Sequence, residues 1–203
     1  IDAAPIKPLR YFVEANMSGD KKASMLSFMG VRGKKICAEI VLPRDVVTSV
    51  LRTTPEQMAE YAIMSALGGV MSGTIGVQGH YANGLAALFL ATGQDVACVS
   101  EASIGVTRMN VSENNGLYAS VTLPNLIVGT VGGGTGLPTQ AACLNIMNLR
   151  GTGKSGAFAE VCAALCLAGE LSIIAALSTG HFTNAHGKLA RGNSPETKEK
   201  TGS

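Results

Sequence analysis

The segment from Val161 to Leu177 most constrains the fold, because it is an apolar run whose only charged residue is Glu170. A helix that is apolar on every face has to be surrounded by other parts of the protein or by lipid. A carboxylate is costly in the middle of a bilayer, so we interpret the run as a buried helix. The pattern predicts a helix over 157–179 that ends at Gly180, and no membrane segment in this chain.

Around that helix the sequence predicts further helices and a few strands. Thr54-Pro55-Glu56-Gln57 is a capping box that starts a helix reaching about Leu67, before Gly68-Gly69. An almost wholly apolar helix, predicted to be buried, runs from Tyr81 to Thr92 and ends at Gly93. Long helices with few strands are typical of an α+β fold. The other predicted elements are strands over 10–14, 35–42 and 116–128 (with a break or bulge at Pro124), a turn over 108–115, and helices over 45–52 and 137–147.

Length and composition restrict the class of protein. The 203 residues suffice for one good-sized domain, and 46% hydrophobic against 15% charged residues argues against disorder. We expect a connecting segment over 1–30, a main body over 31–191 and a polar, flexible tail over 192–203. A formal net charge of +2 gives no argument for nucleic-acid binding.

The cysteines indicate a reducing environment. They are odd in number, widely spread and surrounded by apolar residues, which predicts reduced thiols in an intracellular, reducing compartment. Cys162 and Cys166 have no further cysteine or histidine nearby at metal-ligand spacing, so we expect no metal site. The five residues are Cys37, Cys98, Cys143, Cys162 and Cys166.

Three short stretches, 19–22, 93–95 and 179–186, each place a titratable side chain beside a glycine. Lysine, aspartate and histidine together can polarise a carbonyl, tune the charge of the polarising group and transfer a proton. Lys21 with Lys22 forms either a solvated charged turn or a site that stabilises a developing alkoxide. Asp95 is either an ordinary turn residue after a helix or the partner of a cation such as Lys21, since the helix dipole disfavours an unpaired acid there.

Further polar groups have two interpretations as well. His181 and His186 follow the last long helix and are either exposed structural residues or proton donors. His80 and Asn83 precede the apolar helix, where they form a pocket face or a polar helix cap. The glycine-rich run over 129–135 indicates a backbone nest for a ligand rather than a surface turn.

Taken together, these stretches resemble the 3-hydroxy-3-methylglutaryl-coenzyme A (HMG-CoA) reductase family from about Tyr11 to Arg191. Each motif is weak by itself, whereas their order and spacing are highly specific. The matching motifs are Asp20-Lys21-Lys22, Arg32-Gly33-Lys34, Met71-Ser72-Gly73-Thr74-Ile75-Gly76, Gly93-Gln94-Asp95, Gly129 through Thr135, Ala168-Gly169-Glu170-Leu171-Ser172, and Gly180-His181 with His186.

The resemblance implies the reduction of HMG-CoA to mevalonate by two hydrides from a nicotinamide cofactor, NADPH or NADH. Lys21 matches the family's catalytic lysine, which holds the reacting oxygen. Asp95 matches the aspartate that hydrogen-bonds the lysine and steers its proton. His186 matches the histidine that protonates the departing coenzyme A thiolate, and His181 is the less favoured acid.

The resemblance also implies binding roles. Asp20 and Lys22 match residues of the hydroxymethylglutaryl pocket, where Lys22 pairs with the free carboxylate. His80 and Asn83 match polar pocket residues, and Arg52 stands where the family has a basic residue near coenzyme A. The cofactor-binding positions are Gly132, Gly133, Gly134 and Arg191.

The family's architecture implies the large-domain portion of a reductase, with long buried helices and a small sheet, in a homo-oligomer of at least two subunits that share the active site. The family's catalytic glutamate and its small cofactor-binding domain lie upstream of the matching motifs and have no counterpart here. We therefore expect these 203 residues alone to be inactive. The alternatives are a non-catalytic acyl-CoA-binding or assembly module that retains the reductase core, and an unrelated acyl-CoA-binding fold. The distance between Lys21 and Asp95 distinguishes them.

Overall fold

The structure is a computed structural model that describes residues 3–10, 12, 15–16, 18–29 and 32–179. The predicted strand over 10–14 falls mostly outside these residues. His181, His186 and Arg191 also lie outside them, as does the tail over 192–203.

The described residues form helices packed on a small sheet, which confirms the predicted α+β fold. The strands are β1 (Lys34–Leu42), β2 (Val106–Val111) and β3 (Leu117–Leu126). A π-helical turn over Val47–Leu51 follows the first helix, and 3₁₀ turns cover Met25–Met29, Val96–Cys98 and Gly133–Gly136. The helices are α1 (Arg44–Val46), α2 (Pro55–Ser72), α3 (Tyr81–Thr92), α4 (Val99–Ala102), α5 (Pro138–Ile146) and α6 (Ser155–Ser178).

The sheet is antiparallel with the order β1-β3-β2. Its register slips between the Lys34 and Ile36 pairs, opposite the part of β3 that contains Pro124, as the expected bulge requires. The predicted turn over 108–115 is wrong in its first half, because β2 continues to Val111. Arg108 and Asn110 point to solvent from a strand whose other face buries Thr107 and Met109, so the polar residues belong to an alternating strand.

Helix α2 starts as predicted but ends later. The Thr54 hydroxyl accepts a hydrogen bond from the Gln57 backbone at 3.2 Å, which is the expected cap. The predicted stop near Leu67 is wrong, since the helix passes through Gly68-Gly69 and ends at Gly73, whose φ of 72° is left-handed. Glycine weakens a helix by only about 1 kcal/mol per residue, and packing against β2 and α6 outweighs this.

Helix α6 lies at the centre of the described fold, where it contacts β1, β3, α2 and α3. Phe158 and Glu170 are among its buried residues, and burial raises the pKa of the Cys162 and Cys166 thiols to about 12. By length and composition α6 could also cross a membrane, but a core helix meets the same criterion. Helix α3 is less buried than expected, because Leu90 is 60% exposed.

Candidate active site

Lys21 and Asp95 form an ion pair, with Lys21 Nζ 2.8 Å from Asp95 Oδ2. The hydrogen bond and charge of Asp95 raise the pKa of Lys21 above its ordinary value, and the Lys21 ammonium lowers that of Asp95. Both side chains remain about half exposed, so the pair faces an open space. The two residues are 74 positions apart in sequence. The fold brings their side chains to hydrogen-bond distance, as the reductase interpretation predicts.

The backbone of Lys21 has an uncommon conformation, with φ of 59° in the left-handed region. Its N–H donates to Glu101 Oε1 at 2.9 Å, and its carbonyl accepts from Ser100 Oγ at 2.8 Å. Both polar groups of the Lys21 backbone are therefore held by neighbouring residues of α4. This arrangement fixes the lysine turn on the same short segment that follows Asp95.

Glu101 is a buried carboxylate, only 3% exposed, with several donors around it. Besides Lys21 it accepts hydrogen bonds from Arg32 and from Asn125 Nδ2, the latter at 3.2 Å. Arg32 also pairs with Asp20, next to Lys21 in the sequence. Charges thus alternate from Asp20 through Arg32 to Glu101, which leaves no buried charge in this network without a partner.

Asp95 is positioned by the end of α3 and the start of the next turn. Gly93 ends α3 in the left-handed region, with φ of 71°, and turns the chain sharply. Asp95 Oδ1 then accepts from the Ala97 backbone at 3.0 Å, which leaves Oδ2 for Lys21. One carboxylate therefore caps a 3₁₀ turn and binds the ammonium at the same time.

The turn with Asp95 is attached to the glycine-rich loop over 129–135. The Gln94 side chain donates to the Gly129 carbonyl at 2.9 Å and accepts from the Gly129 N–H at 2.8 Å. Gly93 and Gly134 approach so closely that a Cβ atom on either would overlap the backbone of the other. These contacts set the loop beside the Lys21–Asp95 pair.

A groove of about 240 Å³ opens between these two segments. Asp95, Cys98, Gly132 and Gly133 contribute to its lining, while Gly134 lies behind it against Gly93. A side chain on Gly132 or Gly133 would meet no atom within 4 Å, and both have positive φ. The loop therefore presents bare backbone toward open space, which suits a ligand that approaches closely.

His80 and Asn83 lie at the opposite end of α3 from Asp95. The helix has 12 residues, so its ends are about 18 Å apart at 1.5 Å per residue. The structure therefore does not bring this pair together with Asp95 within one subunit. Asn83 is exposed. The His80 ring is packed closely against Gly84 and Gly169, and its buried Nδ1 has no hydrogen-bond partner among the described residues.

The remaining predicted binding residues divide between two places. Lys22 is exposed beside Lys21, in the turn that Asp20 begins. Arg52 has φ of 56° and borders a separate groove of about 300 Å³ between the π-helical turn and α6. Ser172 and Thr179 also line that groove. Sequence reasoning placed Arg52 near the substrate, but this chain alone gives it a different pocket from that of Asp95.

Several residues of the site were missed from the sequence. Glu101, Ser100 and Asn125 received no role, and Arg32 and Gln94 appeared only inside motifs. A charged residue at Glu101, six residues after Asp95 in an otherwise uncharged segment, was the one available signal. No group of three or more histidine, cysteine, aspartate or glutamate residues suited to a metal occurs in the described part of the chain.

Comparison with known proteins identifies a family and several relatives. Residues 6–191 match the family model described as hydroxymethylglutaryl-coenzyme A reductase. The chain is similar to the 3-hydroxy-3-methylglutaryl-coenzyme A reductase of Methanothermobacter thermautotrophicus, with 45% identity over 89% of this chain and 45% of the relative. It shares 42% identity with that of Pyrococcus abyssi, over 90% of this chain and 47% of the relative. The 3-hydroxy-3-methylglutaryl-coenzyme A reductase 2 of Dictyostelium discoideum is 41% identical over 88% of this chain and 36% of the relative. The chain thus spans less than half the length of these relatives.

Proposed function

The chain belongs to the hydroxymethylglutaryl-coenzyme A reductase family, and we propose that the protein containing it reduces HMG-CoA to mevalonate and coenzyme A. The Lys21–Asp95 ion pair carries this proposal. A module that had kept the fold but lost the chemistry would have no need for an ammonium and a carboxylate at hydrogen-bond distance beside an open groove.

The ammonium of Lys21 supports both reductive steps. Negative charge develops on the substrate oxygen when the thioester is reduced to a hemithioacetal, and again when the aldehyde is reduced to the alcohol. A cation near that oxygen stabilises the transition state more than the neutral carbonyl. The pKa of Lys21 lies above its ordinary value beside Asp95, so the lysine keeps its positive charge at neutral pH. In the second step Lys21 supplies the proton for the alkoxide. The hydrogen bond to Asp95 orients the Lys21 ammonium for that transfer.

A thiol leaves between the two reductions. The oxyanion of the hemithioacetal, held beside Lys21, becomes the aldehyde carbonyl, the carbon–sulfur bond breaks with its electron pair on sulfur, and the coenzyme A thiolate takes a proton. We assign that proton to His186, because histidine is the side chain that most often transfers protons in this way. His181 precedes it by five residues and is the weaker candidate, and both lie outside the described residues.

The glycine-rich loop fits a nicotinamide cofactor, which supplies the hydrides when it is bound. Gly132 and Gly133 leave the groove open at backbone level, and Gln94 holds the loop beside Asp95. We propose NADPH as the donor, with NADH as the alternative to be compared, and Arg191 as a further cofactor contact.

Substrate recognition is proposed to use two subunits. Lys22 and Asp20 lie next to the catalytic lysine, where Lys22 pairs with the free carboxylate of the substrate. His80 and Asn83 are about 18 Å away at the other end of α3, so in a shared site they serve the partner subunit. Arg52 contacts coenzyme A in the same arrangement. The free cysteines favour a reducing, intracellular compartment for the enzyme.

The test uses the full-length protein, with oxidation of NADPH and of NADH as the measured signal. HMG-CoA tests both reductions and mevaldehyde tests the second alone. Lys21→Ala is expected to remove activity with either substrate. His186→Gln is expected to reduce HMG-CoA turnover far more than mevaldehyde reduction, because only the first substrate expels a thiolate. A folded protein that binds HMG-CoA and oxidises neither cofactor would instead support the acyl-CoA-binding module.

A further inference from the structure

We propose that Glu101 is a positioning residue, which holds Lys21 in the backbone conformation from which its ammonium reaches Asp95. The inference rests on the proposed function for the catalytic role of Lys21. The contacts themselves involve only this chain: Glu101 Oε1 accepts from the Lys21 N–H at 2.9 Å, and Lys21 Nζ lies 2.8 Å from Asp95 Oδ2.

The need for such a residue follows from the backbone of Lys21. A residue other than glycine, asparagine or aspartate rarely has a φ near 59°, and this backbone conformation persists only where surrounding contacts enforce it. Glu101 accepts a hydrogen bond from the Lys21 N–H, and Ser100 Oγ donates one to the Lys21 carbonyl at 2.8 Å. A further backbone hydrogen bond of the turn joins the Lys22 N–H to the Gly19 carbonyl, at 3.1 Å, and does not involve Lys21.

The burial of Glu101 makes this contact rigid. With 3% exposure its carboxylate is largely removed from water, so its donors cannot be exchanged for solvent at low cost. Arg32 supplies the compensating charge, and Asn125 fixes the second oxygen at 3.2 Å. Asn125 also accepts from the Gly33 N–H at 2.6 Å, which ties the segment after Arg32 to strand β3. Glu101 therefore joins the lysine turn to the sheet.

The arrangement also orders Asp20. Arg32 contacts both Asp20 and Glu101, so loss of Glu101 frees Arg32 to pair with Asp20 alone. That change would move the turn containing Lys21 away from α4 and lengthen the distance between its ammonium and Asp95. Misplacement by about 1 Å of a group that acts on the reacting atoms can reduce a rate about 100-fold.

The test measures Lys21 directly and separately from activity. In the full-length protein, lysines are reductively methylated with ¹³C-formaldehyde, and the Lys21 methyl signal, assigned by its loss in Lys21→Ala, is titrated by NMR. Glu101→Ala is expected to move the Lys21 midpoint down toward its ordinary value, since the contact with Asp95 is lost. Glu56→Gln, which removes an exposed carboxylate paired with Arg44, is the matched control and should leave the midpoint unchanged.

Kinetics supply the second measurement. Glu101→Ala is expected to lower kcat about 10- to 100-fold with both HMG-CoA and mevaldehyde, with less than about 3-fold change in KM. Glu101→Asp should recover part of that loss.

The outcomes separate this inference from the proposed function. A shifted Lys21 midpoint in a protein without reductase activity would retain the positioning role and reject the function. A folded Glu101→Ala variant with the wild-type midpoint and kcat would overturn the positioning role. If Glu101→Ala does not fold, Glu101→Asp decides, because it keeps a carboxylate for Arg32 and withdraws it by one methylene from the Lys21 N–H. A folded Glu101→Asp variant with the wild-type Lys21 midpoint and kcat would reject the proposal.

Discussion

The side-chain amide of Gln94 pairs with both backbone groups of Gly129, as donor at 2.9 Å and acceptor at 2.8 Å. A primary amide carries a donor nitrogen and an acceptor oxygen side by side, so it can satisfy the N–H and the carbonyl of one residue at the same time. The pairing explains why glutamine stands between Gly93 and Asp95. Gly93 allows the close approach to the glycine-rich loop, Gln94 fixes the loop, and Asp95 binds Lys21.

Replacement of Gln94 should therefore weaken binding at the loop. Gln94→Ala removes three side-chain hydrogen bonds, two to Gly129 and one to the Thr92 carbonyl, and is expected to lower the free energy of unfolding by about 1–3 kcal/mol, measured by urea denaturation. The KM for the nicotinamide cofactor should rise, since the loop loses its attachment. Gln140→Ala is the matched control, because Gln140 makes a single exposed hydrogen bond of 3.4 Å to Leu90. Equal cofactor KM values in the two variants would contradict the role given to Gln94.

The close contact of Gly93 with Gly134 gives a second expectation. Gly93→Ala places a Cβ atom onto the Gly134 backbone at a residue with φ of 71°, so it combines a clash with backbone strain of about 1–3 kcal/mol. We expect a clear loss of thermal stability and of cofactor binding. Gly136→Ala, at the end of the neighbouring 3₁₀ turn and with no atom within 4 Å of the added carbon, should be tolerated. Similar melting temperatures for both variants would show that the contact is not tight.

The ion pair of Lys21 with Asp95 predicts how the lysine titrates. Asp95 raises the folded-state pKa of Lys21 above its ordinary 10.5, so the lysine's contribution to stability is complete below that value and is lost as the pH rises through the folded pKa. Lys21 lowers the pKa of Asp95 below 3.8, so that contribution is present above this value and is lost in acid. Asp95→Asn should move the Lys21 midpoint down, as followed by NMR of a methylated lysine. An unchanged midpoint would mean that the pair is not formed in solution.

The sequence predicts the helices of this fold better than the contacts between them. The apolar pattern located α3 and α6, and the Thr54 cap located the start of α2, because these signals are local. The end of α2 and the extent of β2 depend on tertiary packing, and both were predicted wrongly. Lys21 and Asp95 could be paired from their chemistry and a family resemblance, whereas Glu101 and Asn125 acquire a role only when β3 and α4 meet.

Glu170 provides the last prediction, since it is a carboxylate with 1% exposure inside α6. Its Oε1 accepts from the backbone N–H groups of Gly79, at 2.7 Å, and of His80. Its Oε2 accepts from Thr107 Oγ1 at 2.9 Å. The residue therefore fixes the chain just before α3 and the start of β2 against α6, which explains a charge in the apolar, buried part of α6.

Two substitutions separate the hydrogen bonds of Glu170 from its charge. Glu170→Ala leaves two backbone N–H groups without an acceptor, and each buried, unsatisfied group costs about 1–3 kcal/mol. Glu170→Gln keeps one oxygen for these groups, and its amide can donate to the Thr107 hydroxyl in place of the present bond. We expect Glu170→Ala to lower the unfolding free energy by several kcal/mol in urea denaturation and Glu170→Gln to have a much smaller effect. Equal losses would indicate that the negative charge, rather than the acceptor for Gly79 and His80, stabilises this junction.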